Sequence, residues 1–127
     1  MSLLQHLLGN ATEITPDKAQ AEFADVLIEG ETVQRAYMLI RDVLAFTDYR
    51  IISVDKQGLT GKRQNLTSIP YRSISMFTRV SAGHLDWNAE LHVWVRGRAA
   101  PYPFQFYKGV DINHVYRLLS YYVIASK

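Results

Sequence analysis

Hydrophobic positions recur at helical spacing near the start of the chain, at a spacing of two through its middle, and at helical spacing again at its end. Leu3, Leu4, Leu7 and Leu8 fall on one face of a short helix that Ser2 can cap and that Gly9 and Asn10 stop. Thr15-Pro16 opens a second helix, because Thr accepts from the first free N–H groups and Pro has no N–H to waste at the first helical position. Ala19, Phe23, Val26 and Leu27 keep its period and Gly30 ends it. From Thr32 the period becomes two. Val33, Arg35, Tyr37 and Leu39 alternate with Gln34, Ala36, Met38 and Ile40, and Arg41-Asp42 makes a tight connection. The pattern predicts one long strand over Val43–Val54, a turn at Asp55-Lys56-Gln57-Gly58, and a third strand over Lys62–Tyr71 that is broken near Pro70. A fourth covers Ser73–Ser81, with Ile74, Met76, Thr78 and Val80 on one side. The fifth places Ala89, Leu91, Val93 and Val95 on one face, and Glu90, His92, Trp94 and Arg96 on the other. After a turn at 97–101, Tyr102, Phe104 and Phe106 alternate with Pro103, Gln105 and Tyr107. Asp111 then caps a final helix whose stripe is Ile112, Val115, Leu118, Leu119, Tyr122 and Val123.

The order of these elements constrains the architecture. About six or seven strands at short spacing need antiparallel connections, since parallel strands require long crossovers. Strands this long twist into two packed layers or a partly open barrel. The apolar stripe of the last helix must be covered, and the end of the preceding sheet is the nearest apolar surface. The expected fold is therefore mainly β: a bent antiparallel sandwich or barrel capped by a C-terminal helix and preceded by two short helices. The chain has 127 residues with no linker or repeat, so it reads as a single domain. Within it, about 1–29 is a helical extension and about 30–126 is the barrel with its capping helix.

Composition fits this outline. Eight Tyr, five Phe and two Trp suit half-buried pleated surfaces. A net charge of +2 carries no argument for nucleic acid. The absence of Cys removes disulfides and thiolate chemistry, and fits a reducing, cytoplasmic setting. No run approaches the ~20 apolar residues of a membrane span, so membrane contact would have to be peripheral.

A resemblance sharpens the fold. Gly30-Glu31, Ala36-Tyr37 and Leu39-Ile40-Arg41-Asp42 are followed by Phe46-Thr47-Asp48-Tyr49-Arg50, Asp55-Lys56-Gln57-Gly58 and Thr60-Gly61-Lys62. Ser68-Ile69-Pro70-Tyr71 and Ser81-Ala82-Gly83 complete the series. In this order and spacing, from about Leu27 to Ile124, the chain resembles the bacterial PH-like domain family, of the pleckstrin-homology superfold and formerly a domain of unknown function. The resemblance implies a PH-like barrel and a tendency of identical subunits to assemble into rings. It implies no catalytic residue.

Enzyme signatures fail one by one. Gly61-Lys62 is not a phosphate loop, because position 56 is Lys where Gly is required and 63 is Arg where Ser or Thr is required. His6, His84, His92 and His114 show no metal-ligand spacing, and neither a cofactor nor a metal is expected. Glu90 and His92 lie two apart on one strand face, where they read as polar surface rather than as an acid–base pair. No nucleophile elbow exists. A small α+β enzyme is the weakest reading, since its long helices would precede or interrupt the strands.

Two binding readings remain. The favoured one is a non-catalytic module that self-associates into a ring-like homo-oligomer and binds an unidentified protein or small ligand. Tyr37, Phe77, Trp94 and Tyr107 are its candidate contact residues, as aromatic anchors. The alternative is a domain for phosphoinositide or another anionic ligand, with Lys56, Lys62 and Arg63 around the Gly58 and Gly61 turn as the candidate binding residues. Against it, the connection between the first two strands is only Arg41-Asp42 and lacks the dense basic pattern of lipid-headgroup binders.

Overall fold

Two antiparallel sheets carry the fold. The computed structural model describes residues 12–56, 64–80 and 88–125. The helix expected over Ser2–Leu8, and Gln57 and Gly58 of the turn expected at Asp55-Lys56-Gln57-Gly58, lie outside those residues. The chain divides into two compact units, Met1–Ser68 and Ile69–Lys127.

In the first unit, β1 (Glu13–Ile14) leads into α1 (Pro16–Glu22). The Thr15 hydroxyl accepts from Lys18 N–H at 3.3 Å and Pro16 occupies the first turn, as the sequence pattern requires. Helix α1 is shorter than its apolar period. Ala19 and Phe23 are buried, but Val26 is exposed, because the chain leaves the helix at Phe23. Strands β2 (Val33–Met38), β3 (Asp42–Thr47), β4 (Arg50–Asp55) and β5 (Leu66–Pro70) follow, in the sheet order β1-β2-β3-β4-β5. Strict alternation does not survive in β2. A register shift lies between Val33 and Arg35, and beyond it Ala36, Tyr37 and Met38 pair regularly with Ala45, Leu44 and Val43; all three are buried because both faces of the sheet are covered there.

The expected single strand Val43–Val54 is instead a hairpin. Strands β3 and β4 pair antiparallel, with Phe46 opposite Ile51 and Asp42 opposite Asp55. The turn contains neither Gly nor Pro, which hid it from pattern reading. Thr47 makes it: its Oγ1 accepts from the backbone N–H groups of Tyr49 and Arg50, both at 3.0 Å. A side chain thus supplies what a turn dipeptide usually does.

In the second unit a 3₁₀ turn over Tyr71–Ser73 precedes β6 (Ile74–Val80), β7 (Glu90–Val95) and β8 (Tyr102–Gln105), paired in that order. Gly97 and Gly109 adopt φ of 83° and 94°, a region other residues rarely enter. Among the described residues the strands therefore number eight: the expected second strand splits in two, and β1 was too short to read. Helix α2 (Ile112–Ser120) is capped by Asp111, whose carboxylate accepts from the N–H groups of Asn113 and His114 at 3.1 and 3.2 Å. Its turns continue as a π-helical segment, Tyr121–Ala125. Val115, Leu119 and Val123 are buried. Tyr116 meets Phe77 with ring centroids 5.2 Å apart, and Tyr122 stacks on Tyr71 at 4.7 Å. Two aromatic side chains of the final helical stretch thus meet residues of the second unit.

Candidate functional site

Three places could carry function, and the sequence-derived residues distribute unevenly among them. The first is the basic turn. Lys56 ends β4's hairpin, with its Nζ donating to Ile40 O at 3.4 Å and its backbone N–H to Arg41 O at 2.9 Å. Lys62 and Arg63 lie outside the described residues. Near Lys56 stands Asp42, opposite Asp55. Burial pushes the Asp42 carboxyl up, Asp55's charge adds to this, and Arg41 and Lys56 offset part of it.

The aromatic candidates occupy different environments. Tyr37 is 2% exposed and meets Phe46 edge-on at 6.3 Å, so its ring belongs to the core of the first unit and offers no contact surface. Alternation put it on the face of Val33 and Leu39, and both of those residues are buried too. Phe77 and Trp94 lie on opposite faces of the second sheet. Phe77 pairs with Val93 and turns toward Tyr116 of α2. Trp94 pairs with Met76 on the other, outward face. Tyr107 is half-buried beyond β8.

That outward face is the second place. Met76 is 51% exposed and Val80 40%. Beside them His92 Nε2 and Glu90 Oε1 lie 2.8 Å apart, within hydrogen-bond distance, with the imidazole 6.0 Å from the Trp94 ring. Pattern reading anticipated both the face and the polar role of this pair. Among the described residues no three or more His, Asp or Glu side chains gather in a way that could hold a metal.

The third place was not anticipated. An open groove of about 780 Å³ lies between β6 and α2, lined by Phe77, Thr78, Arg79, Asn113, Tyr116 and Arg117. Arg79 donates to Asn113 Oδ1. Arg79 and Arg117 stand in distant segments, so no sequence window joins them. The available signal was that Arg79 follows Phe77 at the strand period, on the same face.

Comparison with known proteins decides what kind of domain this is. The family model described as Bacterial PH domain matches residues 2–123. The chain belongs to that family. Among curated relatives, this bacterial PH domain is 43% identical to the uncharacterized protein YjqA of Bacillus subtilis over 121 residues, 94% of this chain and 97% of that one. It is 30% identical to the uncharacterized protein YozO of the same organism, covering 75% of this chain and 81% of that one. Among solved structures, a DUF1696 family protein with a pleckstrin-homology domain from Shewanella loihica is similar at a TM-score of 0.80. Its identity is 34%, covering 92% of this chain and 100% of that one. A pleckstrin homology domain from Shewanella amazonensis follows at 0.74 and 35%, covering 87% and 99%. The PH-like fold inferred from the residues is thus the fold of the chain.

Several residues that carried the family resemblance have a structural task in this bacterial PH domain. Glu31 is buried, and its carboxylate accepts from Thr47 Oγ1 at 2.6 Å and from Ile28 N–H at 3.1 Å. Arg50 grips it through two bonds of 2.9 Å and also donates to Val26 O and Ser68 Oγ. Burial alone would push the Glu31 carboxyl up. The hydrogen bonds from Arg50, Thr47 and Ile28, with the charge of Arg50, outweigh it and hold the carboxyl below its ordinary range. No helix of the described residues is long and apolar enough to cross a membrane.

Proposed function

We propose that this bacterial PH domain is a non-catalytic binding and assembly module whose copies associate, through the outward face of β6 and β7, into a ring-like homo-oligomer. The observation that carries the reading is the pairing of half-exposed Met76 with Trp94 on a sheet face that also presents Val80. Exposed apolar groups gathered on one face favour a protein contact, and Trp is a residue that anchors such contacts. A head-to-tail contact between identical subunits closes into a ring when its rotation divides a full turn. The family match runs across both units of the chain, which supports reading them as one domain. The lack of Cys supports a cytoplasmic setting.

The test is the mass of the purified chain in solution. Light scattering after size-exclusion chromatography is expected to return a defined multiple of 14.6 kDa. Met76→Glu, at an exposed position, is expected to lower that mass while leaving the circular dichroism spectrum unchanged. A wild-type monomer at every concentration reached would remove the assembly reading. An oligomer indifferent to Met76→Glu would move the contact to another surface.

A further inference from the structure

We propose that the groove between β6 and α2 is a docking site for an extended, acidic segment of a partner polypeptide carrying an apolar side chain among its carboxylates. Phe77 and Arg79 of the groove lie on the opposite face of the second sheet from Met76 and Trp94, while Thr78 shares the Met76 face; the inference is argued from the groove's own lining and not from the proposed assembly contact.

The chemistry of the lining selects the occupant. The Phe77 and Tyr116 rings, 5.2 Å apart, offer an aromatic floor for an apolar side chain. Arg79 and Arg117 flank it with two guanidinium groups. Asn113 Oδ1 holds Arg79, while Arg117 makes no hydrogen bond or ion pair among the described residues and is exposed. Guanidinium groups bind carboxylates through paired N–H donors, so the groove is electrostatically suited to an acidic partner. The Asp111 carboxylate at the start of α2 accepts from the N–H groups of Asn113 and His114, and among the described residues it forms no ion pair with Arg79 or Arg117.

Shape argues for a chain rather than a small molecule. Small ligands are usually enclosed over most of their surface, whereas this groove is open and bordered by β6. That strand stands at the edge of the β6-β7-β8 sheet, so one row of its backbone N–H and C=O groups points away from β7. An extended peptide laid along an edge strand pairs its own backbone with such a row while alternate side chains enter pockets. On the peptide face turned to the groove, an apolar residue would rest on Phe77 and Tyr116, and an acidic residue two positions along would reach Arg79 and Arg117.

The probe is a fluorescein-labelled peptide of Leu-Ser-Glu-Ser repeats, which sets leucine and glutamate in turn along one face of an extended chain, titrated with the purified protein and followed by fluorescence polarisation. The same peptide with lysine in place of glutamate is the control. The proposal expects saturable binding of the acidic peptide that weakens with added salt, and much weaker binding of the basic one. It expects Arg117→Glu to weaken binding by about tenfold or more without moving the thermal unfolding midpoint. Amide NMR shifts on peptide addition should fall on Phe77, Arg79, Tyr116 and Arg117. The idea is overturned if the acidic peptide does not bind. Unchanged affinity in Arg117→Glu, equal binding of the basic peptide, or NMR shifts on the Met76–Trp94 face instead would overturn it too.

Discussion

Arg50 and Glu31, 19 residues apart, form a two-point ion pair, Nε to Oε2 and Nη2 to Oε1, each at 2.9 Å. The Glu31 side chain is fully buried and Arg50 is one-fifth exposed. Removing one partner from a buried pair is costly because the other is left charged and desolvated. Arg50→Met is therefore expected to destabilise the chain by about 3 kcal/mol in chemical denaturation, and Thr47→Val by about 1–2 kcal/mol through the lost turn and carboxylate bonds.

The same pair gives the fold an acid limit. The folded state lowers the Glu31 carboxyl, so its contribution is complete above the ordinary carboxylate range and disappears as pH falls through the lowered value. Denaturant titrations of wild type and Glu31→Gln should differ most near neutral pH and converge below about pH 4. A difference that stays constant down to acid unfolding would contradict the role given to this carboxylate.

Asp42 has the opposite sign. Burial and the facing Asp55 raise its carboxyl, so the fold prefers the protonated acid. The penalty is absent in acid, builds as pH rises through the raised value, and is complete at neutral pH. Asp42→Asn is expected to melt at a higher temperature than wild type near pH 7 and level with it near about pH 3. Thermal unfolding at the two pH values checks the crossover.

Packing of the last helix sets a fourth expectation. Leu119 is wholly buried, while Ile124 in the π-helical segment is 66% exposed. Leu119→Ala should cost between about 2 and 5 kcal/mol, and Ile124→Ala less than about 0.5 kcal/mol. Asp111→Ala, which frees two N–H groups at the start of α2, should cost about 1 kcal/mol. Equal effects of the Leu119 and Ile124 changes would mean that the stripe is not what anchors the helix.

Local chemistry is what the amino-acid order determined unaided. Thr15 and Asp111 accept the first free N–H groups of their helices, and Leu91 and Val93 turn inward from β7 while Trp94 turns outward; both depend only on neighbours a few positions away. The family motifs could be read because their order along the chain is itself a local pattern. Tertiary structure alone decided that Val43–Val54 folds back at Thr47–Arg50, since the turn rests on a hydroxyl held by the distant Glu31 carboxylate. It alone covered both faces of β2, which buries Tyr37, and brought Arg79 and Arg117 to one groove. Side-chain periodicity reports which face a residue takes relative to its neighbours. Which distant segment covers that face is fixed only when the chain has folded.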